Sequence, residues 1–156
     1  MVNFGMIMAL LGVAMAGVLG PIGSAIAMSK AGDAAAGVLP EKPELYGRAL
    51  VIQAIPGTQA IYGFLVAVLY LTSLGIVGGD LATLTAFDGF MYLVAAIPVA
   101  VVGLVSGVYQ GKVAASAITM AGKNTDLATR GMILAAMVET AQLLALLVTV
   151  LIWLSF

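Results

Sequence analysis

Four long apolar stretches alternate with three short polar breaks along the chain. The stretches run from about Phe4 to Gly37, Leu45 to Val77, Phe87 to Ala121 and Leu127 to Leu154. Each exceeds the roughly 20 residues that cross a bilayer. At about 1.5 Å per residue each predicts a helix about 40–50 Å long. The breaks, Leu39-Pro40-Glu41-Lys42-Pro43, Gly78-Gly79-Asp80 and Gly122-Lys123-Asn124-Thr125-Asp126, are rich in turn-forming residues. The pattern predicts an all-α membrane protein with four transmembrane helices. Residues 1–78 form a first helical hairpin, 79–86 a connection, and 87–156 a second hairpin.

Composition agrees with a lipid-facing surface. Of the residues 63% are hydrophobic and 8% charged, whereas a soluble domain carries charge on about a quarter of its residues. A formal net charge of -1 argues against a nucleic-acid partner, which needs a basic patch to neutralise phosphates. There is no cysteine for a disulfide framework. There is no histidine, the commonest metal ligand and general base. The start, Met1-Val2-Asn3-Phe4, lacks a basic n-region and its apolar run outlasts a signal peptide, so a retained first helix is expected.

Charge also orients the chain. All six basic residues, Lys30, Lys42, Arg48, Lys112, Lys123 and Arg130, lie beside the first and third breaks. The middle break has only Asp80 and Asp88. The positive-inside rule places loops 38–44 and 122–126 in the cytoplasm and both termini outside, in a multi-pass protein of the cell membrane.

An internal repeat is visible in the polar residues. At an offset of 82, Ser24 falls on Ser106, Lys30 on Lys112, Arg48 on Arg130, Thr58 on Thr140 and Ser73 on Ser155. Two hairpins fused in the same orientation produce this pattern, related by an axis along the membrane normal. Gly103, Gly107, Gly111 and Ala115 recur every fourth residue in the third helix, as do Gly23, Ala27, Ala31 and Ala35 in the first. Such stripes let backbones pack closely in lipid. They suit either a four-helix monomer or the crowded inner side of a ring.

Glu139 is the one acid far from every break. A charge at bilayer depth costs at least about 2.5–3.5 kcal/mol, so it usually marks an ion pathway. Its depth is shared. Glu139 lies 14 residues beyond Thr125, Gln110 lies 14 before Asn124, and Thr58 and Gln59 follow Glu44 by 14 and 15. At about 1.5 Å per residue, all four sit about 21–22 Å from the cytoplasmic loops. One carboxylate, two amide carbonyls and a hydroxyl make an all-oxygen set suited to a hard cation. A single negative charge matches a monovalent ion, here Na⁺. Protonation of Glu139 is the alternative way to neutralise it, but leaves Thr58, Gln59 and Gln110 without a task. Pro56-Gly57 interrupts the second helix just before Thr58, removing an amide donor and freeing carbonyls between Ile52 and Ile55. Tyr62 shares the face of Thr58 and Gln59, and either hydrogen-bonds to Glu139 or packs as an aromatic.

Three segments carry a family resemblance: Pro56-Gly57-Thr58-Gln59-Ala60-Ile61-Tyr62-Gly63, Tyr109-Gln110-Gly111-Lys112-Val113-Ala114 and Met137-Val138-Glu139-Thr140. They resemble signature segments of the K subunit of bacterial Na⁺-transporting V-type ATPases, the large, duplicated form of the rotor proteolipid. The resemblance implies a membrane ring of identical protomers, attached to central-stalk subunits and turning against a stator subunit with an essential arginine. It implies Na⁺ ligation by the side chains of Glu139, Gln110, Gln59 and Thr58 and by the Ile55 carbonyl, with Tyr62 steadying Glu139. Gly57 takes the place of Glu139 in the first hairpin, which implies one ion per protomer. Gln142 departs from the apolar turn usual at this point of the family, and either reaches Glu139 or satisfies an interface.

Other functions fit less well. A proton-carrying rotor of the same fold is the near alternative. A four-helix cation-coupled multidrug transporter would place its essential glutamate in the first helix among aromatics. An intramembrane protease lacks its histidines or paired aspartates. No nucleotide-binding motif is present, so the chain is expected to be non-catalytic by itself.

Overall fold

The computed structural model describes residues 3–156. Met1 and Val2, expected at the start of the first hairpin, lie outside the described residues. The chain forms four rods, each long and apolar enough to cross a membrane. The first is one helix, α1 (Phe4–Val38). The second opens with a 3-10 turn at Pro43–Leu45 and continues as α2 (Tyr46–Ala54). After another 3-10 turn at Ile55–Gly57 it runs on as α3 (Thr58–Ser73). The third is α4 (Ala86–Lys123). The fourth begins at a 3-10 turn, Thr125–Leu127, and comprises α5 (Ala128–Met137) and α6 (Thr140–Trp153).

Local chemistry explains the ends. Asn3 caps α1 by accepting from the Met6 amide (2.9 Å), and its own amide donates to the Leu84 carbonyl (2.7 Å). Thr85 and Asp88 form a capping box at the start of α4. The middle connection is longer than the apolar pattern implied. It spans residues 74–85 and takes in Leu74, Ile76 and Val77. Gly75, Gly78 and Gly79 adopt φ of 70°, 136° and 96°, a region that closes a helix and favours glycine. At the other end, α4 extends through Gly122 and Lys123 before the chain turns at Asn124.

The two small-residue stripes meet each other within the chain. A Cβ on Gly23 would lie 2.6 Å from the Gly103 carbonyl oxygen, and one on Gly107 would lie 3.1 Å from Gly23 Cα. The α1 and α4 backbones therefore touch along their length, with α2 and α3 packed on α1 and with α5 and α6 packed on α4. Between them lies a core dominated by alanine, including Ala31, Ala49, Ala114, Ala117 and Ala135. In lipid such contacts hold through dispersion and close fit, since the tails are as apolar as the side chains. Larger residues such as Phe64, Leu144 and Leu147 remain exposed on the outer faces.

Candidate functional site

The break in the second rod is built by Pro56 and repaired from α1. Ser24, buried on α1, donates to the Pro56 carbonyl (2.8 Å) and accepts from the Ala60 amide (3.0 Å). One hydroxyl is thus inserted into the step where a helix would bond Ala60 directly to Pro56. Beside it, Thr58 Oγ1 donates to the Ile55 carbonyl (2.9 Å). Transmembrane breaks persist where such side chains re-satisfy the freed backbone.

The fourth rod breaks at the corresponding place without a proline. Val138 stands where Pro56 stands in the first hairpin, and Glu139 where Gly57 stands. The helix tightens there, with the Glu139 amide on the Ala136 carbonyl (3.0 Å) and the Gln142 amide on the Glu139 carbonyl (3.0 Å). Thr140 Oγ1 donates to the Met137 carbonyl (3.0 Å), repeating the Thr58–Ile55 contact. Glu139 therefore sits on a joint between α5 and α6 rather than inside a continuous helix.

Side chains of the expected polar level meet in two groups. Tyr62 Oη donates to Glu139 Oε1 at 2.5 Å, joining α3 to the joint that carries the acid. Gln59 Nε2 donates to Gln110 Oε1 (2.8 Å), and both amides are fully buried. Gln110 Nε2 continues to the Ala135 carbonyl of α5 (3.2 Å). Thr58 and Ile55 are paired with each other, half-buried, on the turn just before Gln59. Tyr62 takes both roles open to it, donating to Glu139 and packing against the core cluster that includes Ala16, Val66 and Val99.

Ser106 also joins this network, which its match to Ser24 alone does not reveal. Its Oγ donates to Gln59 Oε1 (3.0 Å) from a buried position on α4. The signal for this in the sequence is its place one helical turn before Gln110. Gln142 has the interface role: its Nε2 donates to the Val99 carbonyl (3.1 Å), and Thr149 accepts from the Val99 amide (3.1 Å). These bonds brace α6 against α4 next to Pro98.

The arrangement offers oxygen to a cation. Each amide oxygen that accepts one hydrogen bond retains a second lone pair. Only one carboxylate belongs to the layer, and no cluster of three His, Cys, Asp or Glu exists among the described residues. A divalent ion would normally attract more negative ligands.

Comparison with known proteins agrees with the duplication. A family model for the C subunit of ATP synthase matches the chain twice, over residues 11–70 and 93–152. Each limit of the second match falls 82 residues after that of the first, the offset of the internal repeat. The chain is 40% identical over 153 residues to V-type sodium ATPase subunit K of Enterococcus hirae, covering 98% of this chain and 94% of that one. It is 37% identical over 131 residues to A-type ATP synthase subunit K of Methanocaldococcus jannaschii, covering 84% of this chain and 56% of that one. Against the c' subunit of the V-type proton ATPase of Saccharomyces cerevisiae it is 38% identical over 105 residues, covering 65% and 60%. With four spanning helices in two fused hairpins, each hairpin matched once, this multi-pass membrane protein belongs to the ATP synthase C-subunit family as a duplicated, c-type proteolipid.

Proposed function

We propose that the chain is a rotor-ring subunit of a V-type ATPase that binds Na⁺ in mid-membrane and carries it across as the ring turns. The ligands are the side-chain oxygens of Glu139, Gln110, Gln59 and Thr58 and the Ile55 carbonyl, while Tyr62 holds the Glu139 carboxylate in place. The observation that carries this reading is the buried Gln59–Gln110 amide pair at the level of a single membrane carboxylate. A proton needs only the acid and one partner, whereas Na⁺ needs several oxygens at once. Similarity to a subunit named for sodium transport supports the choice. The subunits named for proton transport cover less of this chain.

One Na⁺ neutralises Glu139, so the occupied site can pass the lipid without an uncompensated charge. In this reading the protomers close into a homo-oligomeric ring, central-stalk subunits hold it, and a stator arginine discharges each ion. Loops 38–44 and 122–126 face the cytoplasm, and both termini and the 74–85 connection face outward. The two hairpins divide the work: residues 1–78 supply Ile55, Thr58, Gln59 and Tyr62, and residues 87–156 supply Gln110 and Glu139. ATP is hydrolysed elsewhere in the complex. A carbodiimide attacks protonated Glu139, so NaCl added at constant pH should slow its labelling. Labelling indifferent to Na⁺ assigns the site to the proton.

A further inference from the structure

Tyr70 is almost fully buried, 1% exposed, and its hydroxyl has no hydrogen-bond partner among the described residues. Its ring packs against α4 and α6, with centroids 5.1 Å from that of Tyr92 and 5.7 Å from that of Trp153. Neither neighbour answers the hydroxyl. Tyr92 is paired with Ser73 (2.9 Å), and the indole nitrogen of Trp153 only donates.

A helical side chain leans toward the start of its own helix. The starts of α3 and α6 lie side by side, joined by the Tyr62–Glu139 contact. The Tyr70 hydroxyl therefore points from the level of Tyr92 and Trp153 toward that of Thr149 and Val99, deeper in the membrane. There Thr149, also buried, accepts from the Val99 amide (3.1 Å), while its own proton has no acceptor among the described residues. The α4 backbone is short of a donor in the same stretch. Pro98 carries no amide hydrogen, so the Val94 carbonyl loses its helical partner. At Pro56 the hydroxyls of Ser24 and Thr58 make up for the break, but no side chain among the described residues donates to Val94. Two hydroxyl donors and one carbonyl acceptor are thus unmet at one level.

We propose that this level is a buried hydration site between α3, α4 and α6. One ordered water accepts from Tyr70 and Thr149 and donates to the Val94 carbonyl. Buried waters make about three hydrogen bonds to groups otherwise left unpaired, the number offered here. Ala95 shares the α4 face of Tyr92 and Val99, and its short side chain leaves the space that a longer one would fill. The water ties α3 and α6 to the Pro98 bend, as Ser24 ties α1 to the break at Pro56. The Gln142 oxygen lies outside the site, since Gln142 bonds the opposite end of the Val99 residue, its carbonyl. The site is also independent of the ion that Glu139 takes. Tyr70 stands eight residues beyond Tyr62, about 12 Å along α3.

Two measurements on the purified protein test this. A density map that resolves waters elsewhere should show one within hydrogen-bond reach of Tyr70 Oη and Thr149 Oγ1. An empty position in such a map overturns the site. Tyr70→Phe gives a readout that depends on sign. A dry, unpaired hydroxyl destabilises the fold, so its removal would raise the unfolding temperature. A hydroxyl that holds the water supports the fold, so its removal should lower that temperature. A rise, or no change, overturns the site. If Tyr70→Phe does not assemble, or the two measurements disagree, the map of the parent protein decides.

Discussion

Tyr62 Oη stands 2.5 Å from Glu139 Oε1 and donates to it, so a residue of the first hairpin holds the acid of the second. A hydrogen bond to a charged group contributes about 1.5–3 kcal/mol, less where it is partly solvated. Both residues are half-buried, which favours the low end. Tyr62→Phe should therefore weaken Na⁺ binding about tenfold, while leaving the maximal transport rate at saturating Na⁺ largely intact. Titrating Na⁺-dependent ATPase activity of the assembled enzyme checks this. An unchanged half-saturation would mean that the contact does not support the ion.

Ser24→Ala should cost stability rather than remove a ligand. The Pro56 carbonyl and the Ala60 amide would each lose the hydroxyl that joins them. A buried backbone group without a partner costs about 1–3 kcal/mol. The expected result is a lower unfolding temperature of the ring, and an unaltered one would mean that Pro56 and Ala60 satisfy each other directly.

Ser106→Ala should act on the site itself. It leaves the buried Gln59 Oε1 without the donor that aims it. Since the amide must hold one orientation to serve an ion, Na⁺ affinity should fall by roughly 3–10-fold, the range of one neutral hydrogen bond. Equilibrium binding of radioactive Na⁺ measures it. Affinity equal to the parent's would remove Ser106 from the network's working parts.

Gln142→Leu should leave ion binding alone. Its amide points to the Val99 carbonyl, and its Oε1 is buried with no partner. Removing both ends deprives Val99 of one donor but also relieves an unpaired oxygen, so stability should change by about 1 kcal/mol or less. Na⁺ affinity within twofold of the parent, and unchanged preference over Li⁺, are expected. A shift in that preference would place Gln142 in the ion's surroundings after all.

Much of this architecture is legible in the sequence because membrane polarity is a strong filter. Each spanning rod announces itself by length, and a lone acid such as Glu139 stands out against an apolar background. The break at Pro56-Gly57 can be read from proline's missing donor. Its twin at Val138-Glu139 cannot, because neither residue disrupts a helix, and only the repeat offset points there. Leu74, Ile76 and Val77 read as helix, yet they belong to a connection shaped by the positive φ of Gly75, Gly78 and Gly79. Hydropathy reports where a residue is buried and says little about its backbone. Ser24 and Ser106 are visible as a matched pair, but their divergence is not. One repairs the Pro56 break and the other holds Gln59, because the second hairpin has Val138 in the place of Pro56 and no proline break there to repair.

Sodium binding by the purified ring, with and without the acid, bears on the proposal most directly. The parent ring should bind one Na⁺ per protomer. Glu139→Gln should abolish that binding while the ring persists. Undiminished Na⁺ in the Glu139→Gln ring, or none in the parent at any pH, would contradict a sodium site at Glu139.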